Sequence, residues 1–305
     1  MARTRNARRI DGVLLLDKPL GPSSNSVLQH VKRLFEAQRA GHTGTLDPRA
    51  TGLLPICLGE ATKFGSQLLD ADKAYVADVR LGIRTETGDA EGLIVEERPV
   101  KVIKEQIDSA LAAFRGEIVQ IPPMYSALKK DGQPLYKLAR MGVEVERKAR
   151  NVTVRRLEAR AFEADLLQMY VQCSKGTYIR TLAEDIGEFL GCGAHLASLR
   201  RVETGSLSLE RATSLERLEE LDLAERTKLL LPVDTLVAEL PRIELGEDAA
   251  HRFQQGQETD VPTEYPSAIL GQARVYATSG RFLGLGIVTQ GSRLQPHRLM
   301  STTNG

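Results

Sequence analysis

The sequence predicts an α+β protein that ends in a small all-β module, and three observations carry that reading. Lys73–Gly82 alternates, with Tyr75, Ala77, Val79 and Leu81 on one face and Asp78 and Arg80 on the other, as a strand with one buried face does. Ile179, Leu182, Ile186 and Leu190 recur at helical spacing in "TYIRTLAEDIGEFLGCG", which glycines close. After "LPVDTLVAELPRIEL" the pattern shifts to short strands and Gly turns, as in "GQARVYATSGRFLGLGIVTQGSRLQP". A length of 305 residues suits one large domain plus a small one, or two of similar size, and 42% hydrophobic residues suffice for a core.

The remaining elements follow in chain order. "DGVLLLDKP" reads as a buried strand stopped by a Lys-Pro turn. "SSNSVLQHVKRLFEAQ" reads as a helix capped by serine, with Val27, Val31, Leu34 and Phe35 on its apolar face. A loop, "GHTGTLDPRATGLLP", comes next, then a short helix in "EATKFGSQLLDADK". Past the Lys73–Gly82 strand, Ile107, Leu111 and Phe114 mark a helix. "IPPMYSALKKDGQPLYKLARMG" is Pro-rich, basic and Tyr-bearing, an extended arm with a short helix. "VTVRRLEARAF" and "LLQMYVQCSKG" read as strands. After the 179–190 helix, a leucine- and acid-rich stretch to about Leu231 reads as helical.

Charge is unevenly placed although the formal net charge is only +1. Arg3, Arg5, Arg8 and Arg9 stand in an acid-free N-terminal stretch, and Lys129–Arg160 holds ten basic residues against four acids. Glu210–Arg226 has six acids against three arginines. Such runs suit either solvated faces or a nucleic-acid footprint. Three cysteines are too few and too odd in number for a disulfide framework, which points to a reducing cytoplasm. The basic N-terminus has no apolar run of a signal peptide behind it, and "GVLLLDKPLG" is too short to span a bilayer. The expectation is a soluble, intracellular protein with no membrane contact.

Few motifs carry chemistry. Cys192 and His195 lack the further ligands a zinc site needs, and Gly284-Leu285-Gly286 lacks the third glycine and the helix of a dinucleotide site. The remaining candidate is Asp47, the single carboxylate of the Gly41–Pro55 loop. It is either a turn former or a nucleophile held by its stiff surroundings, Pro48, Gly44 and Gly52. A buried carboxylate needs a cation, and Arg180, at the start of its helix, could bind it through both arms of the guanidinium fork. Tyr75 and Tyr178 fit a core as well as a site.

Several stretches taken together resemble one family. "LLLDKPLGPSSNSV", "GHTGTLDPRATGLLPICLGEATKF", "KAYVADVRLGIRTETGDAEG", "QIPPMYSALKKDGQPLYKLARMG", "CSKGTYIRTLAEDIG" and "AHLASLRR" are similar, in order and spacing, to the bacterial tRNA pseudouridine synthase B (TruB) family over roughly residues 10–202. "RFLGLG" resembles part of that family's PUA domain. A departure is Arg49, where leucine is more usual. The resemblance implies a pseudouridine-synthase fold: a mixed, largely antiparallel sheet flanked by helices over 9–240, a thumb-like insertion at about 121–151, and a PUA-like barrel over 241–302. It implies an isomerase that converts uridine 55 in the TΨC loop of tRNA to pseudouridine, with no cofactor and no metal, and with room for a second, tRNA-folding role. Carried over by position, Asp47 is the catalytic aspartate, Arg180 its partner, and Tyr75 stacks on the base and assists proton transfer. Tyr178 and Leu199 line the base pocket, Lys63 adds positive potential near Asp47, and His42 fills the gap left by the extruded base. The basic arm would close over the stem-loop, making binding salt-sensitive, and the C-terminal module would hold the acceptor arm. A monomer acting on tRNA without a protein partner is expected; related synthases that work in guide-RNA complexes are the alternative.

Overall fold

The computed structural model describes residues 7–301 except 127, 131, 264 and 266–269. Arg3, Arg5 and the last residue of the expected 241–302 module lie outside the described residues.

The expected first strand is β1, Gly12–Lys18, whose side chains are almost all buried. Helix α1, Ser24–Leu34, follows, its start capped by the Ser23 hydroxyl, which accepts from the Ser26 amide. The loop then runs through a short strand, Ala40–His42, into β2, Ala50–Leu58, an apolar strand buried on both faces and antiparallel to β1. The expected alternating strand is β3, Lys73–Leu81. Helix α2, Lys104–Ala113, leads to β4, Gly116–Gln120. After the arm come β5, Arg150–Glu163, and β6, Leu166–Cys173. Helix α3, Ile179–Phe189, buries Ile179, Leu182, Ala183 and Ile186 against β3 and β6.

The stretch after α3 departs from expectation. Residues 194–204 form β7, Ala194–Thr204, the strand at the middle of the sheet, and helix begins only at Leu215–Glu220 and Leu223–Lys228. Its His and two Arg hide a strand pattern, and two bulges against β3 shift its alternation, so no period of two shows. The main sheet runs β1-β2-β7-β3-β6-β5-β4, with Thr213–Ser214 beyond β1. It is mixed: β2 and β7 are parallel, as are β1 and Thr213–Ser214, and the other neighbours along it are antiparallel. A hairpin of Ile83–Thr85 and Ile94–Glu97 leaves its end.

The C-terminal module is a second sheet built on β8, Arg242–Leu245, β9, Gly271–Ala277, β10, Phe282–Thr289, and β11, Arg293–Leu299. It is not purely β. A helix, Glu247–Gln254, packs Ala250 and Phe253 into its core; with only those two residues buried in eight, it shows no clear helical period in the sequence. Among the described residues no helix is long and apolar enough to cross a membrane.

Candidate active site

Backbone hydrogen bonds and two buried cations hold the Asp47 loop. The Ser24 hydroxyl donates to the Leu46 carbonyl and accepts from the Leu46 amide, both at 2.8 Å. Leu46 itself plugs into the core beside α1. Lys18, fully buried at the end of β1, donates to the carbonyls of Pro19 and Ala50, each at 2.8 Å. Arg201 of β7, 2% exposed, donates from Nε to Leu53 O at 2.7 Å and from Nη2 to Gly44 O at 3.2 Å. Two glycines are required here. Gly44 has φ of 130°, and Gly52, φ 98°, runs so close to β7 that a Cβ would lie 2.2 Å from the Arg201 carbonyl oxygen.

These restraints present Asp47 at the edge of a cleft of about 390 Å³. The carboxylate is 61% exposed rather than buried, which corrects the expectation of a desolvated acid. Arg180, 10% exposed, meets it, but through one arm only: Nη2 lies 3.3 Å from Asp47 Oδ2. The other arm goes to Asp89, with Nη1 3.2 Å from Oδ2, and to the Thr87 carbonyl at 3.4 Å. Nη2 also donates to Tyr125 O at 2.6 Å. The expected two-armed pair is therefore a bridge between two carboxylates and the arm. The α3 start places Arg180 so: Gln120 at the end of β4 accepts from the Tyr178 amide at 3.0 Å and donates to the Tyr178 carbonyl at 3.2 Å.

Tyr75, Tyr178 and Leu199 all line the same cleft. Tyr75 projects from β3, and burial raises its phenol pKa while the Arg201 charge opposes that. Leu199 lies across from Ala77 on one side and Ala50 on the other, joining the two large cores. Tyr178 carries the Arg150 guanidinium 4.7 Å above its ring. Ser126 and Leu128 of the arm line the cleft too, so the arm reaches over it. Arg49 stands exposed at the rim, 3.7 Å from Glu91.

Two expected residues stand elsewhere. Lys63 is not among the residues that line the cleft beside Asp47. Its ammonium donates to Glu60 at 2.7 Å, and to Leu299 O and Ser301 Oγ at 3.0 Å, at the seam with the C-terminal module. Its helical turn packs toward the opposite side of the sheet, which corrects the expectation. His42 ends the strand Ala40–His42, half-buried and upstream of the cleft; burial, then the Arg201 charge, depresses its pKa. Burial likewise lowers Lys18 to about 8, with the Asp47 charge pulling back upward. Sequence reasoning does not single out Asp89, Lys18 or Arg201. For Asp89 a signal exists, since it stands in "TGDAEG", within one of the stretches that carry the resemblance.

The mixed sheet, the basic arm and the aspartate–arginine–tyrosine cleft define a protein of the pseudouridine-synthase class. Among solved structures, the chain is similar to one described as "Crystal Structure of a Cbf5-Nop10-Gar1 Complex", with TM-score 0.72, 26% identity, and 94% of this chain and 84% of that one covered. Family models match nearly end to end: "TruB family pseudouridylate synthase (N terminal domain)" over 32–179, "tRNA pseudouridylate synthase B C-terminal domain" over 180–238 and "Pseudouridine synthase II TruB, C-terminal" over 241–300. The chain is 54% identical over 297 residues to a tRNA pseudouridine synthase B of Chromobacterium violaceum (97% of this chain, 96% of the relative). It is 56% identical over 299 residues to that of Aromatoleum aromaticum (98% and 96%). The chain belongs to the TruB family of pseudouridylate synthases.

Proposed function

We propose that this enzyme isomerises uridine 55 in the TΨC loop of tRNA to pseudouridine. The observation that carries the reading is the convergence of Asp47, Arg180 and Tyr75 on one cleft, within a chain that matches relatives named tRNA pseudouridine synthase B over nearly its whole length. The cleft falls within the roughly 300–1,000 Å³ of small-ligand sites. A base inside a folded RNA loop must first be swung out, at a cost of a few kcal/mol. The half-buried His42, kept neutral by its surroundings, is the residue that stacks into the gap.

In the cleft the base rests on Tyr75, flanked by Leu199 and Tyr178. The N1–C1′ bond breaks, the detached base turns, and a C5–C1′ bond forms. C5 gives up its proton and N1 gains one, so substrate and product are isomers. Asp47 is the group that acts on the nucleotide, and Arg180 fixes its direction. Because the carboxylate is open to solvent, the arginine aims it rather than compensating for burial. The exposed cations of the arm, Lys129 and Lys130 among them, embrace the stem-loop, and the C-terminal module takes the acceptor arm. The enzyme acts as a monomer in the cytoplasm, where three buried, unpaired cysteines are at home.

The test is to incubate an unmodified tRNA transcript with the purified chain and no added cofactor, then to map pseudouridine. Modification at position 55 alone is the expected result. Modification elsewhere, or none, removes the assignment.

A further inference from the structure

Three cations lie buried beneath the cleft, Lys18, Lys73 and Arg201, and their hydrogen bonds go to backbone carbonyls. Among the described residues no carboxylate forms an ion pair or hydrogen bond with any of the three, and Arg201, 2% exposed, is the one that lies across a strand pair from Tyr75. A buried charge without a counter-ion is costly, so a role as a plain clamp for two carbonyls explains it poorly: a neutral amide would bind the same oxygens at less cost.

The sheet register shows what the charge faces. Arg201 lies directly across β7 and β3 from Tyr75, and across β7 and β2 from Gly52. Side chains opposite one another in a strand pair project to the same face and touch. Arg201 and Tyr75 both line the cleft, with Leu199 two residues away on the same strand. The two side chains thus share one face of the sheet at the cleft, and Tyr75 is the group that offsets the effect of burial on the Arg201 charge.

We infer that Arg201 is a positioning residue for the isomerisation, acting through Tyr75: it pins the phenol on the cleft floor and polarises its oxygen. The inference rests on the reading of Tyr75 as the residue under the target base. It ties that residue to the Asp47 loop, because the same guanidinium binds Gly44 O three residues before Asp47.

A double-mutant cycle with Arg201→Met, Tyr75→Phe and both together tests it, read as single-turnover pseudouridine formation on a TΨC stem-loop, with RNA affinity and thermal midpoint alongside. Arg201→Met is expected to slow the reaction about 100-fold, the scale of losing one preorganised donor, with affinity within about threefold of the unmutated chain. In the Tyr75→Phe background the same change is expected to cost less than about threefold, because residues that act together are non-additive. Arg201→Lys, which keeps the charge, should recover about tenfold of the loss. If Arg201→Met does not fold, Arg201→Lys serves in both backgrounds, with the same expectation of a smaller cost when Tyr75→Phe is present. Losses that multiply overturn the inference, since Arg201 would then act on the loop alone; so does an Arg201→Met enzyme of undiminished rate. A Tyr75→Phe enzyme at full rate instead removes the reading of Tyr75 on which the inference rests.

Discussion

Nη2 of Arg180 lies 3.3 Å from Oδ2 of Asp47, joining residues 133 apart in the sequence. The two differ sharply in burial, so the arginine is the fixed partner and the aspartate the presented one. Asp47→Asn keeps the shape and one hydrogen-bond acceptor but loses the carboxylate. Single-turnover pseudouridine formation should fall by roughly 10⁴ or more, the scale seen on deleting a reacting group, while stem-loop affinity stays near normal. Turnover at even a tenth of the original rate would mean that another group does the chemistry.

Arg180 serves four acceptors at once, and Asp89 is the one that anchors its second arm. Asp89→Ala removes a charged hydrogen bond of the kind worth about 1.5–3 kcal/mol. The guanidinium, freed on that side, should swing from the geometry that meets Asp47. A loss of about 10- to 100-fold in single-turnover rate with little change in affinity is expected, measured by rapid quench. If affinity falls while the rate holds, Asp89 serves RNA binding instead.

Much of this arrangement is legible in the amino-acid sequence. Asp47 shows because a lone acid sits among glycines and prolines, and β3 and α3 show because each buries one clean face. What does not show depends on contacts across the chain. Strand β7 is central, yet its bulges and its His and Arg residues erase the alternation that a strand displays. Arg201 looks like a surface cation in "SLRR" and becomes a floor residue only because Gly52 lets β2 approach β7 so closely. Lys63 matches the family pattern, but no local pattern reveals that its neighbour is Leu299, far along the chain.

Lys18 adds a pH dependence whose sign can be worked out. Burial takes its ammonium from the ordinary 10.5 to about 8 in the folded chain. Between about pH 8 and 10.5 the unfolded chain therefore binds more protons than the folded one, and by linkage this group makes stability rise with pH there. Activity should move the other way. Once neutral, Lys18 grips the Pro19 and Ala50 carbonyls weakly and no longer offers its field to Asp47. Single-turnover rates should decline through about pH 8 with no fall in thermal midpoint over the same range. Lys18→Arg, which stays charged, should push that decline to higher pH; an unchanged profile would clear Lys18 of the effect.

The C-terminal module should prove necessary to the catalytic fold as well as to RNA binding. Its Leu285 is buried in the same cluster as Val13 and Leu15 of β1 and Leu53 of β2, the strand that leads out of the Asp47 loop, and Phe282 and Met300 pack against that cluster. The rings of Phe282 and Phe64 are 5.4 Å apart, and Tyr276 donates to Asp234 at 2.6 Å. Lys63 and Glu60 add polar links to Leu299 and Ser301. At about 1.5–3 kcal/mol for the fully buried Leu285 and about half that for each of the half-buried Phe282 and Met300, losing the three forfeits about 3–6 kcal/mol. That is comparable with the lower end of a whole domain's stability, about 5–15 kcal/mol. A chain stopped after Leu240 should thus aggregate or melt at least about 10 °C lower, and lose rate even on a minimal stem-loop that never reaches the module. Phe282→Ala, which leaves the module in place, should lower the thermal midpoint through a cost of up to about 3–5 kcal/mol and spare full-length tRNA affinity. A truncated chain that melts at the original temperature and keeps its stem-loop rate would show that the seam is a docking contact between two independent units, and that the shared cluster contributes little.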